Sequence, residues 1–228
     1  MMRCRFGMSA LLAAVLAIGL SCVGTEVGNP ADDEEAEITI EFDVVEAGQR
    51  HSLTLASGLE FDELWMVVDE LEVKFGPDCG EGLVLEANAF AVEFVSQRSY
   101  PALPQFVLPV GEYCAVEFEI REAEPHELAE GVPAALAGRS ALMRGTLADG
   151  RAFELTSTSD EGISLDQFLD LPAGQSTVGL TLAPDLWWTA DQMREAVDDP
   201  VAINEETNPE LYEAFEDSLA DSFGLRRP

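Results

Sequence analysis

The sequence predicts a mostly β protein, an antiparallel β-sandwich of about eight strands with two helices at the C-terminal end. Three observations predict it. Apolar and polar residues alternate through the middle of the chain, turn residues separate the alternating stretches, and after Pro184 the apolar spacing changes to that of a helix. Strands that alternate in this way bury one face and expose the other, as in a two-layer antiparallel fold.

Two stretches show the alternation most clearly. EITIEFDV, residues 37–44, alternates aliphatic or aromatic side chains with acids and threonine. FVLPVGEYCAVEFEIREAE, residues 106–124, directs glutamates outward and places a second set of side chains inward: Cys114, Val116, Phe118 and Ile120. Each stretch is predicted to be a half-buried strand.

A third strand, ELWMVVDELEVKFG at residues 63–76, has an interrupted pattern. Its apolar face is predicted to carry Trp65, Val67, Leu71, Val73 and Phe75. Asp69 falls on the same face. A β-bulge near Asp69 would turn the carboxylate outward, and a buried carboxylate with a partner is the alternative.

The later strands are bounded by turn signals. Ser140–Ser159 is predicted to form a hairpin with Asp149-Gly150 as its two-residue turn, since both residues tolerate positive φ. Residues 171–184 form the last predicted strand, with Val178, Leu180 and Leu182 on one side.

Two helices are predicted after that strand. The first covers residues 189–198, where Thr189 and Gln192 have the spacing of a capping box. The second covers residues 208–223, with Asn208 as the N-cap, Pro209 at the first helical position and Gly224 ending the helix. We expect the helices to pack over one open end or edge of the sandwich.

The first 21 residues are typical of an export signal. Arg3 and Arg5 precede the uncharged apolar run Ser9–Leu20, which is too short to span a membrane as a mature helix. Cleavage before Cys22 would leave a small residue, Ser21, next to the cut. A plain secretory signal with Gly19 and Ser21 at its cleavage site is the alternative.

The sequence around Cys22 resembles the bacterial lipoprotein precursor, whose first mature residue is a lipid-bearing cysteine. That resemblance implies lipidation of Cys22 and attachment to the cell envelope, and Val23 in the next position implies the outer membrane. Lipidation would also explain an odd cysteine in an oxidising compartment. Residues 22–36 are then predicted to be a flexible acidic tether, and residues 37–228 a single domain.

The charge of the chain excludes one class of partner. The net charge is −32, and removing residues 1–21 takes away two arginines and no acid, which leaves −34. Such a field repels nucleic acid. The acidity predicts either simple solubility or the binding of cations.

Cys79 and Cys114 are predicted to form a disulfide. Cys79 lies in the loop GPDCGEG and Cys114 on a strand, in a compartment that permits oxidation. Zinc is a poor alternative, because two thiols without nearby histidines supply too few ligands.

Motifs for catalysis are not evident. The chain has two histidines, His51 and His126, and neither stands beside a cysteine or in a nucleophile-elbow motif. We therefore predict no enzyme activity and no required cofactor; a secreted hydrolase is the least favoured hypothesis.

Two sets of residues are candidates for ligand binding. Asp69, Glu70 and Glu72 offer hard oxygen ligands, so calcium is a candidate cofactor. Trp187 and Trp188 could stack on a sugar, but a tryptophan pair at a strand-to-helix junction more often joins helix and sheet.

A wider resemblance rests on ELWMVVDELEV and on LPVGEYCAVEFEI, with Pro109, Gly111 and Tyr113 at a turn into a strand. These stretches look like a group of bacterial lipoproteins of unknown function that carry a β-sandwich, immunoglobulin-like or pre-albumin-like. The resemblance implies a fold and a location rather than an activity. The predicted function is a lipid-anchored, non-catalytic binding or assembly module with a protein or glycan partner; a calcium- or carbohydrate-binding sandwich is the alternative.

Overall fold

The computed structural model describes residues 31–46, 49–50, 54–55, 57–76 and 78–227. Cys22, the predicted signal segment and residues 22–30 of the predicted tether lie outside the described residues. In the described part the helices are α1 (Ala190–Glu195) and α2 (Pro209–Ser222), with short 3-10 turns at Ala134–Leu136 and Pro184–Leu186. The strands are β1 (Ala31–Glu46), β2 (Gln49–Arg50), β3 (Glu60–Phe75), β4 (Glu81–Glu86), β5 (Phe90–Glu93), β6 (Arg98–Tyr100), β7 (Phe106–Tyr113), β8 (Ala115–Ile120), β9 (Ala141–Thr146), β10 (Ala152–Ser157), β11 (Glu161–Leu165), β12 (Leu169–Leu171), β13 (Gly174–Leu182), β14 (Val201–Ile203) and β15 (Phe223–Arg226).

The strands form two sheets that enclose one main core, so the predicted mostly β sandwich is confirmed. The six-stranded sheet has the order β12-β7-β1-β13-β15, with β2 paired to β1. The nine-stranded sheet has the order β11-β8-β3-β9-β10-β14, with β4 and β5 on β3 and β6 on β5. Both sheets contribute to the same buried cluster, for example through Phe42 of β1 and Phe118 of β8.

The sheets are mixed, however, and the predicted purely antiparallel pairing is wrong. β1 pairs with β13 in parallel over nine positions, from Ala36 with Gly174 to Val44 with Leu182. β10 pairs with β14 in parallel as well. Alternating side chains look the same in parallel and antiparallel strands, so the pattern in the sequence does not encode strand direction.

Strand β1 begins earlier than predicted. Residues 31–36 belong to the predicted flexible tether, but Glu35 pairs with Pro109 and Ala36 with Leu108 of β7. Ala36 is fully buried, whereas Glu35 is exposed. A glutamate on the exposed side of the strand keeps its contact with water, so a polar composition is compatible with a sheet position there.

Strand β3 contains the predicted bulge, but the bulge does not turn Asp69 out to solvent: its side chain is 22% exposed and pairs with Arg121. The pairing with β8 shifts register between Asp69 and Glu72, and Glu70 has a φ of +47°. The bulge reverses the two faces of the strand. Leu71 and Val73 belong to the main core, whereas Trp65 and Val67 lie in a second cluster on the opposite face. The single apolar face predicted for these four residues is therefore wrong.

On each side of β3 one neighbouring strand replaces another at or near the bulge. On one side, β5 pairs with residues 65–68 and β4 with residues 71–75. On the other side, β9 pairs with residues 60–66 and β8 with residues 68–74. The chain leaves the sheet between β8 and β9, and residues 121–140, here called the covering segment, contain Ala123 and Leu136 of the second cluster, which also holds Trp65.

The predicted hairpin is present as β9 and β10, but its turn differs from the prediction. The N–H of Gly150 donates to the carbonyl of Leu147 (2.9 Å) and the N–H of Leu147 donates to that of Arg151 (2.8 Å). Only Gly150 of the predicted pair has a positive φ, +88°. The turn therefore spans more than Asp149-Gly150, and glycine supplies the one left-handed position that it requires.

The predicted disulfide is confirmed. Cys79 and Cys114 are bonded, with their Cα atoms 5.9 Å apart. Cys114 stands between β7 and β8, and its N–H donates to the carbonyl of Lys74 (2.8 Å). The bond therefore fastens the loop after β3 to the junction of β7 and β8.

The first C-terminal helix is present but shorter than predicted. Helix α1 has the predicted capping box, with both hydrogen bonds between Thr189 and Gln192. It ends at Glu195 instead of residue 198, because Ala196 adopts an extended conformation. The guanidinium of Arg151 donates to the carbonyl oxygens of Ala196 and Asp198 just beyond that end.

The second helix keeps its predicted apolar stripe of Leu211, Phe215 and Leu219. Asn208 does not cap it with its side chain; the amide donates instead to the carbonyl of Ala202 (2.7 Å). Gly224 lies in strand β15, which pairs with β13, and does not end the helix as predicted. None of the described helices is long and apolar enough to span a membrane.

Candidate functional site

The two predicted sugar-stacking residues, Trp187 and Trp188, are buried. Their exposed fractions are 2% and 5%. The ring of Trp187 packs edge-on against Phe215, and the indole N–H of Trp188 donates to the carbonyl of Leu211 (2.8 Å). Neither ring has a face open to a sugar, so the stacking hypothesis is wrong for this pair. The tryptophans join α2 to the sheets, as the structural interpretation predicted.

The predicted metal ligands Asp69, Glu70 and Glu72 do not converge. Asp69 accepts from Nε of Arg121 (2.6 Å), and Glu72 forms an ion pair with Lys74. Glu70 points to solvent. Within the described residues, no three His, Cys, Asp or Glu side chains are arranged to hold a metal ion. The basic partners already supply the positive charge that calcium would bring to Asp69 and Glu72.

Asp69 instead fixes the covering segment. Arg121 bridges Asp69 and Glu127, donating from Nη2 to the Glu127 carboxylate (2.8 Å). The hydrogen bond from Arg121 and a second one from the backbone N–H of Glu124 lower the pKa of Glu127 to about 2. This network holds the segment over Trp65 and the second cluster, which gives the bulge at Asp69 a structural role.

A cavity lies on the outer face of the six-stranded sheet. It is an open groove of about 830 Å³, here called the sheet groove. Its lining residues come from β1, β7, β12, β13, β15 and the loops beside β12 and after β15: Glu41, Glu112, Phe168, Asp170, Pro172, Gln175, Ser176, Thr177, Arg226 and Arg227. Glu41 and Thr177 alternate with core residues of their strands, so they belong to the outer face of this sheet.

Arg226 forms one wall of the sheet groove. Gly179 of β13 pairs on one side with Glu41 and on the other with Arg226. The arginine side chain lies over Gly179 and reaches Oε2 of Glu41 (2.6 Å), two strands away. A Cβ at position 179 would stand 2.9 Å from Nε of Arg226, so glycine is required for the arginine to lie flat on the sheet.

A buried carboxylate holds Arg226 in place. Nη1 of Arg226 donates to Asp43 (3.0 Å), whose exposed fraction is only 4%. Nε2 of Gln97, from the turn between β5 and β6, donates to the other oxygen of Asp43 (2.9 Å). A charge-assisted pair of this kind, with the carboxylate buried and the arginine only partly exposed, fixes the geometry of the guanidinium.

The opposite wall carries carboxylates without basic partners. Glu112 of β7 and Asp170 of β12 pair directly across the two strands, and both are exposed. Among the described residues no basic side chain pairs with either of them. Like charges in directly opposite positions destabilise a sheet. A ligand that donates hydrogen bonds to both carboxylates would relieve this repulsion.

The floor and rim add neutral groups. Gln175 and Thr177 of β13 present an amide and a hydroxyl, and Nε2 of Gln175 donates to Glu37 (3.1 Å). Phe168 stands at the rim with 58% of its surface exposed. The groove thus combines polar donors and acceptors with one open aromatic ring.

The groove was not predicted from the sequence. Its residues are spread from position 41 to position 227, and Glu41 and Arg226 come together because β13 pairs with β1 on one side and with β15 on the other. The sequence feature that belongs to the groove is the outward, acidic face of EITIEFDV. Acidity by itself indicates only a solubilising surface, so it does not predict a groove.

These features define an acidic β-sandwich protein with a polar groove on its smaller sheet. No protein-family model matches the chain, and no curated protein matches it. It is similar to a solved structure, MbnP from Methylosinus trichosporium, at 11% identity and a TM-score of 0.40, over 73% of this chain and 80% of that one. The function of this chain is therefore inferred from its own residues.

Proposed function

We propose that this chain is a non-catalytic binding or assembly module of the cell envelope, and that it holds its partner in the sheet groove. One observation carries the proposal: an open groove of about 830 Å³ whose walls are prepositioned by the Asp43–Arg226–Glu41 contacts. Its volume falls within the range of ligand pockets. Prepositioned polar groups lower the cost of binding, because fewer side chains must be ordered when the ligand arrives.

The attachment to the envelope is part of the proposal and rests on the sequence. An apolar run after two arginines, small Ser21 and then Cys22 favour lipidation of that cysteine. Val23 after the cysteine favours the outer membrane. Lipoprotein modification adds several acyl chains, enough for stable anchoring.

Mass spectrometry of the mature N-terminus tests the anchor. We expect a peptide that begins at Cys22 and carries the added mass of its lipids, and we expect a Cys22→Ser variant to leave the membrane fraction. A wild-type protein that is cleaved elsewhere, or that begins at an unmodified Cys22, would contradict the anchor and leave the groove proposal untouched.

The groove favours a ligand rich in hydroxyl groups, of which an oligosaccharide fits best. Glu112 and Asp170 can accept hydrogen bonds from such a ligand, and Gln175 can both donate and accept. The exposed ring of Phe168 offers an apolar face beside them. The aromatic residue proposed to contact a sugar is therefore Phe168, and not the buried tryptophans.

Calcium binding and hydrolysis have less support than carbohydrate binding. Calcium would need several convergent oxygens, whereas Glu41 is held by Arg226. Hydrolysis would need acid and base groups on either side of the reacting bond, whereas Glu112 and Asp170 stand next to each other on one wall of the groove. The described histidine, His126, lies in the covering segment on the other sheet, with 77% of its side chain exposed. His51 is outside the described residues.

Binding measurements on groove variants test the proposal. We expect the exported protein to bind at least one member of a panel of malto-, cello-, chito- and peptidoglycan-derived oligosaccharides in calorimetry. Phe168→Ala should weaken that binding about fivefold, because losing one aromatic contact costs on the order of 1 kcal/mol. Gln175→Ala should weaken it by a similar factor.

Leu186→Ala is the matched control. Leu186 is another exposed apolar residue, 51% accessible, and it is not in the groove. We expect its affinity to equal that of the wild type. Binding that survives both Phe168→Ala and Gln175→Ala would place the site elsewhere, and a panel without any binder would exclude the oligosaccharide assignment.

A further inference from the structure

A second candidate site lies around Arg139, away from the sheet groove. The chain has 12 lysines and arginines against 44 acids, so each of these bases has many carboxylates available as partners. Nine basic side chains are described, and six of them form ion pairs: Lys74, Arg121, Arg144, Arg151, Arg194 and Arg226. Among the three without an ion pair to a described residue, Arg98 and Arg227 are exposed and Arg139 is partly buried.

Arg139 lines a cavity of about 300 Å³, here called the Arg139 pocket. The other lining residues are Thr156, Thr158, Asn204, Glu205, Glu206 and Tyr212. The pocket stands where the parallel strands β10 and β14 both end, since Thr158 follows β10 and Asn204 follows β14. It belongs to the nine-stranded sheet and shares no lining residue with the sheet groove.

The backbone on each side of the pocket is fixed. The N–H of Arg139 donates to the carbonyl of Leu136, and its own carbonyl accepts from Ala123, both at 3.0 Å. Across the pocket, Oδ1 of Asn204 accepts from the N–H groups of Glu206 (3.0 Å) and Thr207 (2.8 Å). The two rims are therefore held in position before any ligand arrives.

Arg139 on one side of the pocket and Glu205 and Glu206 on the other have opposite charges but are not in contact. Glu205 and Glu206 line the same pocket as Arg139, yet neither forms an ion pair with it, so each guanidinium-to-carboxylate distance exceeds 4.0 Å. Thr156 and Thr158 line the same cavity and add two hydroxyl groups to it. This arrangement suits a small ligand with an anionic end and a cationic end.

We propose that the Arg139 pocket binds an α-amino acid or a similarly small zwitterion. Arg139 would receive the ligand carboxylate through its fork of N–H donors. Glu205 and Glu206 would accept from the ligand ammonium, and the threonine hydroxyls would complete the hydrogen bonds of the carboxylate. A cavity at the lower end of the usual range for ligand sites fits a molecule of this size better than a polymer.

Thermal melts with defined probes test this site. We expect at least one of the common L-α-amino acids, at about 10 mM, to raise the Tm of the exported protein by about 2–4 °C. The N-acetyl and the amide derivatives of that amino acid each lack one charge, and we expect both to lose the shift. Arg139→Gln should weaken binding at least tenfold in calorimetry, and the double variant Glu205→Gln/Glu206→Gln should weaken it as well.

Arg98→Gln is the matched control, because Arg98 is another arginine without an ion pair to a described residue and is exposed on strand β6. It should bind like the wild type. If Arg139→Gln lowers the Tm without ligand, Arg139→Lys takes its place, with the same expected loss because lysine lacks the fork. Melts that no amino acid shifts, or equal binding of the N-acetyl and amide derivatives, would overturn the proposal.

Discussion

Replacing both Cys79 and Cys114 with alanine is expected to lower the free energy of unfolding by about 4 kcal/mol in the chain-entropy model. The two cysteines are 35 residues apart, so the bond closes a long loop in the unfolded chain. Without it, the unfolded state gains conformational freedom and becomes more favourable. For a domain of this size we expect the Tm in calorimetry to fall by roughly 10 °C.

Reduction of the wild-type protein provides the control for this result. Reduced wild type keeps both cysteine side chains and loses only the bond, so it should show most of the same decrease in Tm. A double variant with the same Tm as the wild type would mean that the bond does not constrain the unfolded chain.

Trp187→Ala is expected to destabilise the protein by about 3–5 kcal/mol, the usual cost of removing a large aromatic side chain from a core. The ring is 2% exposed and has edge-on contacts with both Phe61 and Phe215. Its removal leaves a cavity between the sheets and α2. Urea unfolding followed by circular dichroism measures the change as a lower midpoint with a similar slope.

The neighbouring Leu186 supplies the comparison. Leu186 is 51% exposed, and Leu186→Ala should change the free energy of unfolding by less than about 0.5 kcal/mol. If Trp187→Ala cost no more than Leu186→Ala, the tryptophan pair would not be the element that joins α2 to the sheets.

Local patterns in the sequence predicted much of the fold. The alternation in EITIEFDV predicted the buried Ile38, Phe42 and Val44, and the spacing of Thr189 and Gln192 predicted a capping box that is present. Each of these signals depends on contacts within a few residues of the chain. They can therefore be detected in the sequence without knowledge of the fold. Taken together, the predicted strands and helices indicate a sandwich.

The differences arise where distant segments decide the structure. Residues 31–36 have the acidic composition of a tether, yet pairing with β7 makes them part of a strand. Gly224 was predicted to end the second helix, yet Phe223–Arg226 forms a strand that pairs with β13. In both cases hydrogen bonds to a remote strand outweigh a local preference.

The candidate sites show the same division. A bulge at Asp69 was predictable from one acid on an apolar face, but its partner Arg121 is 52 residues away. The groove residues Glu41 and Arg226 are 185 residues apart and meet only because Gly179 stands between them in the sheet. No spacing rule connects them.

By itself, the amino-acid sequence determined the solvent-facing acidity, the alternation of the strands, the disulfide pair and the residues that lie inside, because these depend on neighbouring positions and on burial. Only the tertiary structure decided the strand directions, the sheet groove and the Arg139 pocket. The physical reason is that a binding surface depends on side chains brought together by sheet pairing, and pairing between remote strands is set by the whole core.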